Sequence, residues 1–136
     1  MNETLPVASA FREGRSLEGY AAYWKRRRAA QLAANRRLAE QARADLSRIV
    51  TTLADRYPIR RLILFGSLAR GNFAPGSDID LAVEGLPPGD YFTALAEVNR
   101  LTSFWVDLKP LEELSPHFQK RVLATGECIH ERTVGG

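Results

Sequence analysis

Gly66-Ser67, followed after ten residues by Asp78-Ile79-Asp80, sets a turn suited to phosphate at a fixed distance from two carboxylates. The apolar run Leu62-Ile63-Leu64-Phe65 before it suits a strand buried on both faces. Gly66 ends that run, and a residue without Cβ lets backbone N–H groups approach a ligand closely. If Ser67 to Arg70 opens a short helix, its unpaired N–H groups and the Ser67 hydroxyl face one spot, where an anion such as a triphosphate is favoured. Alone, a Gly-Ser turn serves equally as a strand-to-helix connection with a serine cap. The carboxylates change that balance. Strand alternation sends Ile79, Leu81 and Val83 to one face and Asp78, Asp80 and Ala82 to the other. Two acids pointing the same way repel unless a cation sits between them. Magnesium suits the position, because it takes few carboxylates and completes its octahedron with water and phosphate oxygens. An Asx turn at Ser77-Asp78 would explain Asp78 but would leave Asp80 without purpose on an apolar strand.

A third acid follows on a second alternating segment. In Phe104-Trp105-Val106-Asp107-Leu108, the residues Phe104, Val106 and Leu108 share one face and Trp105 and Asp107 the other. Pairing of this strand beside the first could bring Asp107 to the face carrying Asp78 and Asp80. Core packing is the expectation for Trp105, with stacking near a base as the alternative. Gly66-Ser67-x10-Asp78-x-Asp80 with the later Asp107, in the surround Leu64-Phe65-Gly66-Ser67-Leu68-Ala69-Arg70-Gly71 and Ser77-Asp78-Ile79-Asp80-Leu81, resembles the minimal nucleotidyltransferases of the DNA polymerase β-like superfamily.

The resemblance covers about residues 59–131 and implies an α+β fold: a small mixed sheet with helices packed on it, preceded here by a long N-terminal helix. It also implies ATP as nucleotide donor and two Mg2+ ions. Residue by residue, it places Gly66 and Ser67 on the triphosphate and Asp78 and Asp80 on the metals. Asp107 matches the third carboxylate, holding the catalytic metal and helping to deprotonate an attacking hydroxyl. Arg70 is assigned to the phosphates as a bidentate donor, with a structural salt bridge as its alternative. The implied reaction is in-line attack of a hydroxyl on the α-phosphorus with loss of pyrophosphate.

The remaining chain must position these groups. Its 136 residues amount to one domain, with 45% hydrophobic residues to fill a modest core. The single cysteine, Cys128, excludes an internal disulfide framework and is expected as a buried thiol. Lacking a signal-peptide pattern or a membrane-spanning run, the chain is expected in the cytoplasm, without membrane contact. Residues 1–15 show no periodicity and are expected to form a flexible tail. Residues 16–57 read as a long basic helix rich in Ala, Leu, Arg and Gln, ended by Pro58. Continuous, it would be about 60 Å long, so the sequence expects either a break near residue 35 or a projecting helix. Leu32, Leu38, Ala42, Leu46, Ile49 and Leu53 form an apolar line whose later part would pack on the core, residues 58–132. Another helix is expected from about Tyr91 to Leu101, with Phe92, Leu95, Ala96 and Val98 on its buried side. A helix ending near Gly126 and a last edge strand, Glu127 to His130, follow.

The basic run Lys25-Arg26-Arg27-Arg28, with Arg36, Arg37, Arg43 and Arg48, leaves three readings open: a solvated face, an acidic protein partner, and, less favoured, nucleic acid. Tyr20 and Trp24 among these cations suit a contact surface, and self-association through this helix is one form of it. The short stretch after Asp107 leads us to expect that the acceptor is presented by another chain or a second copy. Small members of the family resemble antitoxins paired with a HEPN-domain toxin. The resemblance then implies transfer of AMP to a toxin tyrosine within a hetero-oligomer. The alternatives are a small-molecule, aminoglycoside-like nucleotidyltransferase and a non-catalytic, nucleotide-binding antitoxin that acts by contact.

Overall fold

A computed structural model describes residues 16–133; the expected tail over residues 1–15 lies outside them. Helix α1 (Leu17–Arg56) runs for 40 residues without interruption at Asn35. Strong helix formers without proline sustain it. Ser16 caps its start, its Oγ accepting from the Gly19 N–H at 3.1 Å. The chain divides into one unit up to Asn35 and another from Arg36 onward. In the first, no residue from Leu17 to Asn35 is buried. Trp24 there meets Tyr20 and Tyr23 edge-on and lies under the Arg27 guanidinium, 5.5 Å from its ring centre.

The second unit holds a four-stranded mixed sheet. Its strands are β1 (Arg61–Phe65), β2 (Ile79–Glu84), β3 (Val106–Pro110) and β4 (Glu127–Glu131), in the order β3-β2-β1-β4. β1 is antiparallel to both neighbours, whereas β2 and β3 are parallel. Between them lie α2 (Gly66–Arg70), α3 (Tyr91–Asn99) and α4 (Pro116–Thr125), with single 3-10 turns at Pro88–Asp90 and Leu111–Glu113. This is the expected α+β architecture, with its long N-terminal helix and mixed sheet. Among the described residues no helix is long and apolar enough to cross a membrane.

Period-two alternation sorts the two cores. Leu62, Leu64, Ile79, Leu81, Val83, Val106 and Leu108 enter a larger core with Ala42, Leu46, Ile49 and Leu53 of α1 and Ala94 and Val98 of α3. Ile63 and Ala82 enter a smaller one with Leu111 and Val122 on the opposite face. β1 is therefore buried on both sides. Gly126 follows α4 with an extended backbone (φ −80°), not the left-handed turn common at helix ends. A Cβ there would lie 2.6 Å from Ile63 Cγ2 and from the Val122 carbonyl, so crowding explains the glycine.

Three expectations fail. Phe92 is 79% exposed and Ala96 is also exposed, because the buried stripe of α3 runs through Ala94 and Val98. Cys128 is exposed, because β4 is an edge strand whose outer residues are uncovered. α3 also ends at Asn99 rather than Leu101, because the chain tightens there, the Arg100 and Leu101 N–H groups donating to the carbonyls of Glu97 and Val98 three residues back.

β3 is the other edge, and side chains cover it. Asn99 accepts from the Val106 N–H (2.8 Å) and donates to the Val106 carbonyl (3.1 Å), and the Tyr91 hydroxyl donates to the Leu108 carbonyl (2.7 Å). These contacts satisfy outward-facing groups that would otherwise be unpaired. The loop before β3 is tied to α1 by Asp45, a carboxylate only 3% exposed. It accepts from Thr102 (2.7 Å), Gln41 (2.8 Å) and Arg48 (2.9 Å), and Arg48 also donates to the Leu101 carbonyl. Burial raises the proton affinity of Asp45. Hydrogen bonds from Thr102 and Gln41 and the Arg48 charge outweigh that and hold it below the usual carboxylate range.

Asp45→Ala should therefore lower stability by about 1–3 kcal/mol, since Thr102 and Gln41 lose their acceptor in a buried setting. A urea titration followed by circular dichroism checks this. An unchanged midpoint would mean that the network carries no stability.

Candidate functional site

Gly66 opens α2 directly at the end of β1, with φ +76°. The antiparallel register pairs Phe65 with Asp80, so the backbone at Gly66 runs against the Asp80 side chain. A Cβ on Gly66 would lie 2.1 Å from Asp80 Oδ2, and the left-handed φ independently disfavours any other residue. Phe65 is held edge-on by Phe118 of α4, with ring centres 5.9 Å apart. Ser67 follows as the second residue of α2. Gly71 ends that helix in the left-handed conformation, its N–H returning to the Ser67 carbonyl.

The connection to β2 is a tight turn. The Ser77 N–H donates to the Ala74 carbonyl at 2.9 Å, the Ala74 N–H donates to Ser77 Oγ at 3.0 Å, and Gly76 takes φ +86°. Pro75 followed by a glycine with positive φ is the chemistry of a type II turn, and Ser77 serves that turn. Buried Phe73 anchors the loop edge-on against Phe104 at 5.2 Å. Asp78 is delivered exposed at the start of β2, with half-buried Asp80 two residues on. The parallel register pairs Asp80 with Asp107, and the Ile79 N–H extends the ladder to the Trp105 carbonyl at 2.9 Å. The three acids named from sequence are thus gathered at adjacent strand positions on one side of the sheet.

Their charges interact. Burial, and then the charges of Asp107 and Asp78, push the Asp80 carboxyl up to about 6, with Lys109 and Arg70 acting in the opposite direction. Arg70 lies exposed in the last turn of α2. Lys109 was not singled out in the sequence, yet its Nζ is 3.0 Å from Asp107 Oδ2. Its signal was present, since positions 105, 107 and 109 alternate onto one face. Trp105 departs from the expected core packing and is 56% exposed, at the start of an edge strand.

Among the described residues no three carboxylate, histidine or cysteine side chains form a ready cage for a metal ion. Magnesium asks for less, binding through one or two carboxylates with water and phosphate oxygens completing the shell. The repulsion that lifts the proton affinity of Asp80 is what such a cation would relieve, so the donor set fits it.

Comparison with known proteins follows this geometry. A family model described as "Polymerase beta, Nucleotidyltransferase" matches residues 47–134. No curated protein matches in sequence. Among solved structures, a toxin–antitoxin crystallised with AMP-PNP is 25% identical with a TM-score of 0.58, covering 64% of this chain and 73% of that one. A protein described as a minimal nucleotidyltransferase is 29% identical with a TM-score of 0.58, covering 68% and 94%. The fold is also shared with an MNT antitoxin in complex with the tri-AMPylated HEPN toxin of Shewanella oneidensis, at 22% identity and a TM-score of 0.53, covering 66% and 72%.

The raised proton affinity of Asp80 has a sign. The folded chain keeps this proton up to about 6, while an unfolded aspartate releases it near 4. Stability from this group is therefore full below pH 4 and lost as pH rises through 6. Asp80→Asn should raise stability at pH 7.5 by about 1–3 kcal/mol, partial solvent access limiting the gain, with little difference at pH 4. Urea titrations at both pH values check this, and equal midpoints at pH 7.5 would refute it.

Proposed function

Since the chain belongs to the polymerase β nucleotidyltransferase family, we propose that it transfers AMP from ATP to a hydroxyl, a tyrosine, of a partner HEPN-domain toxin and thereby neutralises it. The observation that carries this reading is the register of Asp80 beside Asp107 with the Gly66 backbone closed against Asp80. That arrangement demands glycine at position 66, because the Asp80 carboxylate fills the space that a side chain would take. Likeness to a toxin–antitoxin that binds AMP-PNP supports the partner and the nucleotide. The fold shared with an antitoxin bound to a tri-AMPylated HEPN toxin provides the precedent for the product.

In this reading the Gly66 and Ser67 backbone N–H groups and the Ser67 hydroxyl hold the β- and γ-phosphates, and Arg70 steadies their outer oxygens. Asp78, Asp80 and Asp107 would hold the Mg2+ ions. Bound there, magnesium supplies charge stabilisation to the attacking and leaving oxygens. Asp107 takes the proton of the acceptor hydroxyl as its oxygen forms a bond to the α-phosphorus. The bond from that phosphorus to the bridging oxygen breaks, and pyrophosphate leaves on the Gly66 side. Lys109 keeps Asp107 paired and oriented before the substrates arrive. The chemistry itself is positioning and charge stabilisation.

The test is incubation with ATP labelled at the α-phosphate, magnesium and the HEPN protein of the neighbouring gene. Label should pass to the toxin, and Asp78→Ala should reduce the transfer by roughly 100-fold or more, the scale of losing one electrostatic stabiliser. Neutralisation that survives Asp78→Ala would favour a contact antitoxin. Label on an aminoglycoside but not on the toxin would favour a small-molecule enzyme.

A further inference from the structure

We propose that Trp105 is the landing surface for the acceptor, stacking against the aromatic ring that carries the attacked hydroxyl. The inference rests on the reading of the site just given. Three observations carry it.

The first is placement. The order β3-β2-β1 sets the Gly66-Ser67 turn at the end of β1, Asp80 on β2, and Asp107 with Trp105 on β3. Strands are spaced about 4.8 Å apart, so Trp105 lies about 10 Å across the sheet from the phosphate turn. In-line displacement puts the nucleophile opposite the leaving group. With pyrophosphate on the Gly66 side and the α-phosphorus near Asp80, the hydroxyl approaches from β3, where Trp105 stands.

The second is orientation. Phe104 packs against the larger core and Val106 is buried in it. Trp105, between them, faces the other side with Asp107. It stands two positions before Asp107, about 7 Å away along extended backbone. A phenol ring stacked on the indole is therefore within reach of Asp107.

The third is the combination of exposure and rigidity. The side chain is 56% exposed and has no ring or cation partner among the described residues. Its backbone is pinned by the Ile79 N–H bond to the Trp105 carbonyl and by the Phe104–Phe73 contact. A large exposed ring on a fixed backbone loses little entropy when it makes a contact, which is why Trp serves as an interface anchor. The nucleobase is the other ring that could stack there, and the experiment separates the two.

Trp24 is the only other tryptophan, so a Trp24→Phe chain labelled with 5-fluorotryptophan gives one 19F resonance, that of Trp105. Magnesium with AMP-PNP should leave this resonance near its free position, and addition of the HEPN protein should shift or broaden it. In transfer assays, Trp105→Ala should raise the toxin concentration for half-maximal rate about 10-fold, the scale of one aromatic contact. Trp105→Phe should restore most of that, with AMP-PNP affinity unchanged in both variants. A full shift on AMP-PNP alone would assign the ring to the base and overturn the proposal, as would a resonance unmoved by the toxin or an Ala variant with unaltered toxin dependence. Absence of label transfer by the parent chain would count against AMP transfer itself, while the resonance would still decide whether Trp105 meets the partner.

Discussion

Mutual repulsion among Asp78, Asp80 and Asp107 is the constraint on which the rest of this structure turns. Their carboxylates are held at adjacent strand positions because β2 and β3 run parallel in a register that sets Asp80 beside Asp107. Such crowding works against folding, and the raised proton affinity of Asp80 records its cost. The surroundings answer it locally: Lys109 pairs with Asp107 and Arg70 adds positive charge nearby. They also answer it mechanically, because the acids project from strands whose other face is packed in the larger core. An arrangement that works against folding marks a place where the fold gives up stability, as functional sites do.

Support for that arrangement comes from behind the sheet. β3 brings Asp107 to the site, yet it is an edge strand with one neighbour. Its register is held from outside by Asn99 and Tyr91, and its approach is held from below by Asp45 through Thr102 and by Phe104 against Phe73. Helix α1 thus contributes more than apolar area. Its single buried acid reaches the loop that leads into the third carboxylate, so a change in that helix is felt in the site without touching it.

The site was legible in the sequence because its signals are local. Gly66-Ser67 and Asp78-x-Asp80 sit on one hairpin, and alternation alone puts Asp107 on a definable face. The register between β2 and β3 was not legible, since it is set by Asn99, Tyr91 and the Ile79 ladder bond, which are distant or featureless in the chain. Phe92 lies off the buried stripe of α3, whereas Trp105 and Cys128 depart from expectation for a common reason. An apolar residue reveals that it prefers burial, but whether an element lies beside it to provide that burial depends on which strands are edges. Asp45 was missed because a buried acid in a helix full of charged residues looks like any solvated one. The helix break considered near Asn35 does not occur, as local propensity sustains the helix through that position.

The parallel pairing of β2 with β3 has a consequence for how the chain acquires its site. The Gly66 turn and the first two acids belong to strands that pair antiparallel with only the α2 loop between them, a contact close in sequence. Asp107 is added across a crossover through α3, the more distant closure, and such closures govern the pace of folding. The β1–β2 hairpin by itself brings together Gly66, Asp78 and Asp80 but not Asp107. The group of three acids is thus complete only once the parallel pair has formed, however early the hairpin that carries the first two is in place.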